Sequence, residues 1–90
     1  MISEKDIVKL IQQSLPQAQI YVKNPLRDGE HFHALIIDEG FEGMSLLSRQ
    51  RLVMKPLGHM IGNEIHALSI KTLTPGEFEK RREELSKFLQ

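Results

Sequence analysis

Four histidines are the side chains in this sequence best suited to hold a soft metal, and no cysteine accompanies them. Without cysteine the chain forms no disulfide and, by itself, no thiolate metal site. Among the histidines, His66 stands out. It precedes the apolar run Ala67-Leu68-Ser69-Ile70 at a place where Val or Thr suits a strand better. His31 also stands where a strand is expected to begin, so two imidazoles approach each other if those strands are neighbours. The ordinary alternative is a half-exposed histidine with no task, and composition alone favours it. Nucleophilic catalysis has little support. Ser45, Ser48 and Ser69 have no histidine and acid at suggestive spacing, and no glycine-rich phosphate loop follows a strand.

The segment that must position His66 is Glu64–Phe78. Its first half alternates as a strand, with His66, Leu68, Ile70 and Thr72 on one side and Ile65, Ala67, Ser69 and Lys71 on the other. Its second half reads as a helix start. Thr74 is the N-cap, Pro75 takes the first helical position, and Glu77 follows three residues after the cap. Phe78, Arg82, Leu85 and Leu89 then fall at successive turns of one final helix, with Lys80, Arg81 and Lys87 on other parts of its surface.

The elements before it follow from the same rules. Ser3 and Asp6 start a helix whose apolar stripe is Ile7, Ile11 and Leu15, with Val8 and Leu10 beside it, and Pro16 ends it. Ala18, Ile20 and Val22 alternate with polar neighbours as a strand wet on one face. Asp28-Gly29 signals a turn. The next strand, His31–Asp38, carries Phe32, Ala34 and Ile36 on one face and His31, His33, Leu35 and Ile37 on the other. The two strands are expected to form an antiparallel hairpin. Ser45 caps a helix over Leu46–Lys55, Pro56 interrupts it, and Leu57–Ile61 reads as a second short helix ending at Gly62-Asn63. The order α-β-β-α-α-β-α predicts an α+β sandwich, with helices covering a three-stranded mixed sheet.

Composition bounds the function. Ninety residues, 40% apolar and 27% charged, make one ordinary globular domain over residues 1–90. Twelve basic and twelve acidic residues give a formal net charge of zero, which argues against general attraction to phosphate backbones. The polar, acidic start does not read as a signal peptide, and no apolar run is long enough to span a bilayer. A cytoplasmic protein without membrane association is the expectation.

Three motifs in order, Asp28–Phe32 (D-G-E-H-F), Phe41–Ser45 (F-E-G-M-S) and Ile65–Pro75 (I-H-A-L-S-I-K-T-L-T-P), make nearly the whole chain resemble the BolA family. That resemblance implies a type II KH-like fold, in agreement with the element order. It also implies a non-enzymatic adaptor in iron–sulfur cluster assembly, trafficking or iron regulation. BolA proteins partner monothiol glutaredoxins and share a [2Fe-2S] cluster with them. The I-H-A match makes His66 one ligand. The D-G-x-H-F match makes His31 the second, with His33 on the same strand face as its fallback. Such a core is normally held by four thiolates, and two imidazoles on one iron raise its potential, as in Rieske centres. The glutaredoxin cysteine and a glutathione would supply the sulfur. Imidazole binds iron only as the neutral ring, so cluster affinity is expected to fall below about pH 6.

The rival reading is a KH-like nucleic-acid-binding transcriptional regulator, also proposed for BolA relatives. Its candidate phosphate contacts are Arg49, Arg51 and Lys55, although a charge run on a helix is more often a solvated face. Many relatives carry Arg-His-Arg where Arg49-Gln50-Arg51 stands. Gly40-Phe41-Glu42-Gly43 superficially matches the G-x-x-G clamp of KH domains. It lies between strand and helix, not between the two adjacent helices, and Glu42 would oppose phosphate. A plain turn is the better reading. The expected second helix is short and mostly apolar, unsuited to reading bases.

Overall fold

A computed structural model of the chain describes residues 2–86. Helix α1 (Glu4–Ser14) opens on a full capping box, in which the Ser3 hydroxyl accepts from the Asp6 amide and Asp6 accepts from the Ser3 amide. Strands β1 (Gln19–Lys23) and β2 (His31–Ile37) pair antiparallel, as the turn signal required. Helix α2 (Leu46–Met54), capped by Ser45, carries the chain across to β3 (Ala67–Leu73), which pairs parallel with β2. A parallel neighbour needs such a crossover. The sheet order is β1-β2-β3, so the expected three-stranded mixed sheet forms with β2 at its centre.

The two faces of β2 are buried unequally. Phe32, Ala34 and Ile36 face the larger core, with Val22 of β1, Ile7 and Ile11 of α1, Val53 of α2, and Leu57 and Ile65. Leu35 and Ile37 face a smaller core with Leu73, Phe78 and Leu85. Each fully buried side chain of this size contributes roughly 1.5–3 kcal/mol. The smaller core covers only the far half of its face. Near the start of β2, on the same face, His31 is half-buried and His33 is exposed.

Two expected helices differ. In place of a helix over Leu57–Ile61 there is one 3-10 turn, Gly58–Met60, over the buried Leu57. Pro56 lacks an amide hydrogen and Gly58 disfavours helix, so the few residues before Gly62 do not repay helix nucleation. No second helix follows α2 in the manner of a helix-turn-helix. The final helix is two pieces, α3 (Pro75–Lys80) and α4 (Arg82–Leu85), parted at Arg81. The Arg81 amide bonds the Phe78 carbonyl at 3.0 Å, three residues back, which tightens the last turn of α3. Arg82 then lies 5.3 Å over the Phe78 ring, and Leu85 reaches the smaller core. The expected positions of Lys87 and Leu89 lie outside the described residues.

Gly40-Phe41-Glu42-Gly43 is a turn. A 3-10 turn over Glu39–Phe41 is capped by Asp38, and Phe41 is fully buried.

Candidate metal centre

Both candidate ligands stand at the entrance to adjacent parallel strands. In the β2–β3 register His31 lies opposite Ala67, so His66 arrives one residue before the ladder begins. The amides of His66 and Ala67 both donate to the Glu30 carbonyl, at 2.9 and 3.0 Å. Two successive amides on one acceptor interrupt the alternation. Ile65 is fully buried in the larger core while Ala67 is exposed, so the expectation that the two share a face is corrected. His66 likewise does not join Leu68 and Ile70 against the core. It is exposed, and its ring meets that of His31 edge-on, with centroids 5.1 Å apart and planes at 66°.

The turn before it fixes where His66 emerges. The Ile65 amide donates to the Met60 carbonyl and the Gly62 amide to the Ile65 carbonyl, at 3.0 and 2.8 Å. That closure needs a positive φ, and Gly62 supplies it at 89°. Ile65, sealed in the core, anchors the residue just ahead of His66.

His31 is held from the other side by Asp28. One Asp28 oxygen accepts the Glu30 and His31 amides at 2.8 and 3.1 Å, and the other lies 2.6 Å from His31 Nδ1. These bonds, the Glu30 amide foremost, hold the Asp28 carboxyl down to about 2. Asp28, Glu30 and His31 bring donor atoms within 4.8 Å of one another. From the sequence Asp28 reads only as a turn residue, and Glu30 only as part of the D-G-E-H-F motif. The signal was an Asx residue three positions before the histidine. His33 lies two residues deeper, opposite Ser69 and exposed. With His31, Pro25, Leu26, Ala67 and Ser69 it lines a shallow groove of about 280 Å³ at this end of the sheet.

The spacing of the two rings suits a shared iron. A tetrahedral metal with nitrogen bonds of about 2.1 Å places two ring centres about 5 Å apart, the spacing of His31 and His66. Two imidazoles with no thiolate in the chain would fill half the coordination of a [2Fe-2S] cluster and would need sulfur from elsewhere.

Arg49 is not where the nucleic-acid reading needs it. It is buried, with 6% exposure, because α2 turns that side toward β3 and α3. Its guanidinium donates to the carbonyls of Met44 and Thr72, both at 3.1 Å, and to Glu77 at 2.7 and 3.4 Å. It also lies 5.6 Å over the Phe41 ring. Arg49 first, then the Thr74 amide, holds the Glu77 carboxyl down to about 2. Arg51 and Lys55 remain exposed. Spacing alone did not separate these cations, since α2 has apolar residues on more than one side.

Residues 5–77 match the family described as BolA-like protein. This chain belongs to the BolA-like family. Acid stress protein IbaG of Escherichia coli K12 is 36% identical over 78 residues, covering 86% of this chain and 89% of that one. The solved BolA homologue from Coxiella burnetii is 39% identical with a TM-score of 0.72, covering 88% of this chain and 99% of that one. Yeast Fra2 is 29% identical with a TM-score of 0.69, covering 93% and 91%. The BolA fold is thus shared along nearly the whole length. Among the described residues no helix is long and apolar enough to cross a membrane.

Proposed function

We propose that this BolA-like chain is a non-enzymatic adaptor in iron–sulfur cluster handling, sharing a [2Fe-2S] cluster with a monothiol glutaredoxin. His66 and His31 ligate one iron. The partner's cysteine and a glutathione supply the sulfur ligands that this chain lacks. The observation that carries the reading is the approach of two imidazole ring centres to 5.1 Å, one at the start of β2 and the other just before β3. Family membership supports it, and so does the absence of cysteine.

The test is to combine the pure protein with a monothiol glutaredoxin, glutathione, iron and sulfide, and to record visible absorption and circular dichroism. The heterodimer should show a cluster spectrum distinct from that of the glutaredoxin alone, with a higher reduction potential. His66→Ala should return the spectrum to that of the glutaredoxin alone. An unchanged heterodimer spectrum in that variant removes His66 from the ligands. The nucleic-acid reading keeps only Arg51 and Lys55 of its three cations, on a chain of zero net charge. It predicts salt-sensitive DNA binding with no spectral change.

A further inference from the structure

We infer that Asp28 is a positioning residue for the metal centre, setting which nitrogen of His31 faces the iron. This rests on the reading of His31 as a ligand. An ionised carboxylate only accepts hydrogen bonds, and Asp28 Oδ2 lies 2.6 Å from His31 Nδ1. The proton of the neutral ring therefore sits on Nδ1, and the lone pair sits on Nε2. A carboxylate behind a ligating histidine both selects that tautomer and raises the basicity of the ligand nitrogen.

The two oxygens of Asp28 have separate duties. Oδ1 shapes the turn by accepting the Glu30 and His31 amides, while Oδ2 addresses the ring. Asp28→Asn separates them. The two amide hydrogens keep the remaining oxygen in the Oδ1 place, so the new NH2 group falls opposite Nδ1. A donor there demands the lone pair on Nδ1 and moves the ring proton to Nε2. The turn survives and the histidine presents the wrong nitrogen. The His66 backbone keeps its place in this exchange, because its amide is held by the Glu30 carbonyl.

The experiment has two arms. In the first, long-range proton–nitrogen correlation on the imidazoles of the metal-free chain, at mildly alkaline pH, reads the His31 tautomer directly. The wild type should show the Nδ1–H form and Asp28→Asn the Nε2–H form, with unchanged far-ultraviolet circular dichroism. In the second, the glutaredoxin heterodimer is reconstituted with iron, sulfide and glutathione. Asp28→Asn should weaken cluster retention about 10- to 100-fold, the usual effect of losing such a partner, and shift the reduction potential. An Nε2–H ring in the wild type overturns the proposal. So does an Asp28→Asn heterodimer with wild-type retention and potential where His31→Ala changes both. A His31→Ala heterodimer identical to wild type instead overturns the ligand reading, while the tautomer measurement still reports on Asp28.

Discussion

Arg49 and His31 are both cations or potential cations on a protein with balanced charge, yet burial gives them opposite uses. Arg49 satisfies four acceptors at once through its planar fork, including the carbonyls of Met44 and Thr72 that would otherwise lack that donor. A lysine has one ammonium and cannot span them. Arg49→Lys should therefore cost about 2 kcal/mol or more, lowering the melting temperature by roughly 8 °C or more for a domain of this size. Differential scanning calorimetry checks this. The same substitution should leave the cluster spectrum of the heterodimer unchanged, since the Arg49 guanidinium is engaged with Met44, Thr72 and Glu77. At the same scale, His31 stays partly exposed with a carboxylate on one nitrogen. That is a condition for ligation and a poor one for stabilising a fold.

At the scale of elements, the centre depends on how β3 begins. The doubled amides on Glu30 and the burial of Ile65 turn His66 out of the alternation that the following residues obey. Ile65→Ala would remove a fully buried anchor at a cost of about 2–4 kcal/mol. Its signature should be twofold: a lower urea midpoint, and a weakened cluster signal even at temperatures where the variant is folded. A variant that loses stability and keeps a wild-type cluster spectrum would show that the turn does not position His66. The junction after β3 has a different task. Thr74, Pro75 and Glu77 build a capping box, and Glu77 reaches back to Arg49, tying α3 to α2 across the sheet edge.

For the whole molecule, acid is the revealing variable. Asp28 and Glu77 both have carboxyls near 2 in the folded chain, against ordinary values of 3.8 and 4.5. A carboxyl depressed by folding stabilises the native state fully above its ordinary value, and that contribution is lost as pH falls toward the folded value. Thermal stability should thus drop as pH falls from about 5 toward 2. Glu77→Gln should begin from a lower stability at neutral pH and lose less of it on acidification. Melting curves across that range decide the matter. Equal slopes in the two proteins would mean that other groups govern acid unfolding.

Much of this is legible in the amino-acid sequence alone. Capping boxes at Ser3 and Thr74, the turn at Asp28-Gly29 and the alternation through Phe32, Ala34 and Ile36 are local signals, and local hydrogen bonding and periodicity read them well. The motifs around His31 and His66 pointed to the family and to the pair. Other features depend on partners distant in sequence. Whether Arg49 is solvated is decided by Thr72 and Glu77, which lie 23 and 28 residues away. The split at Arg81 and the collapse of the second helix to one turn have local causes that apolar spacing does not register: the Arg81 amide bonds back to Phe78, and Pro56 and Gly58 flank the buried Leu57. The sequence by itself determined the three strands, the capped helix starts and the motifs that mark the family, because propensity, capping and pattern act within a few residues. Only the tertiary structure decided that His31 and His66 meet, with Asp28 behind one of them. Parallel register brings together residues 35 positions apart in the chain, and no short-range rule specifies that pairing.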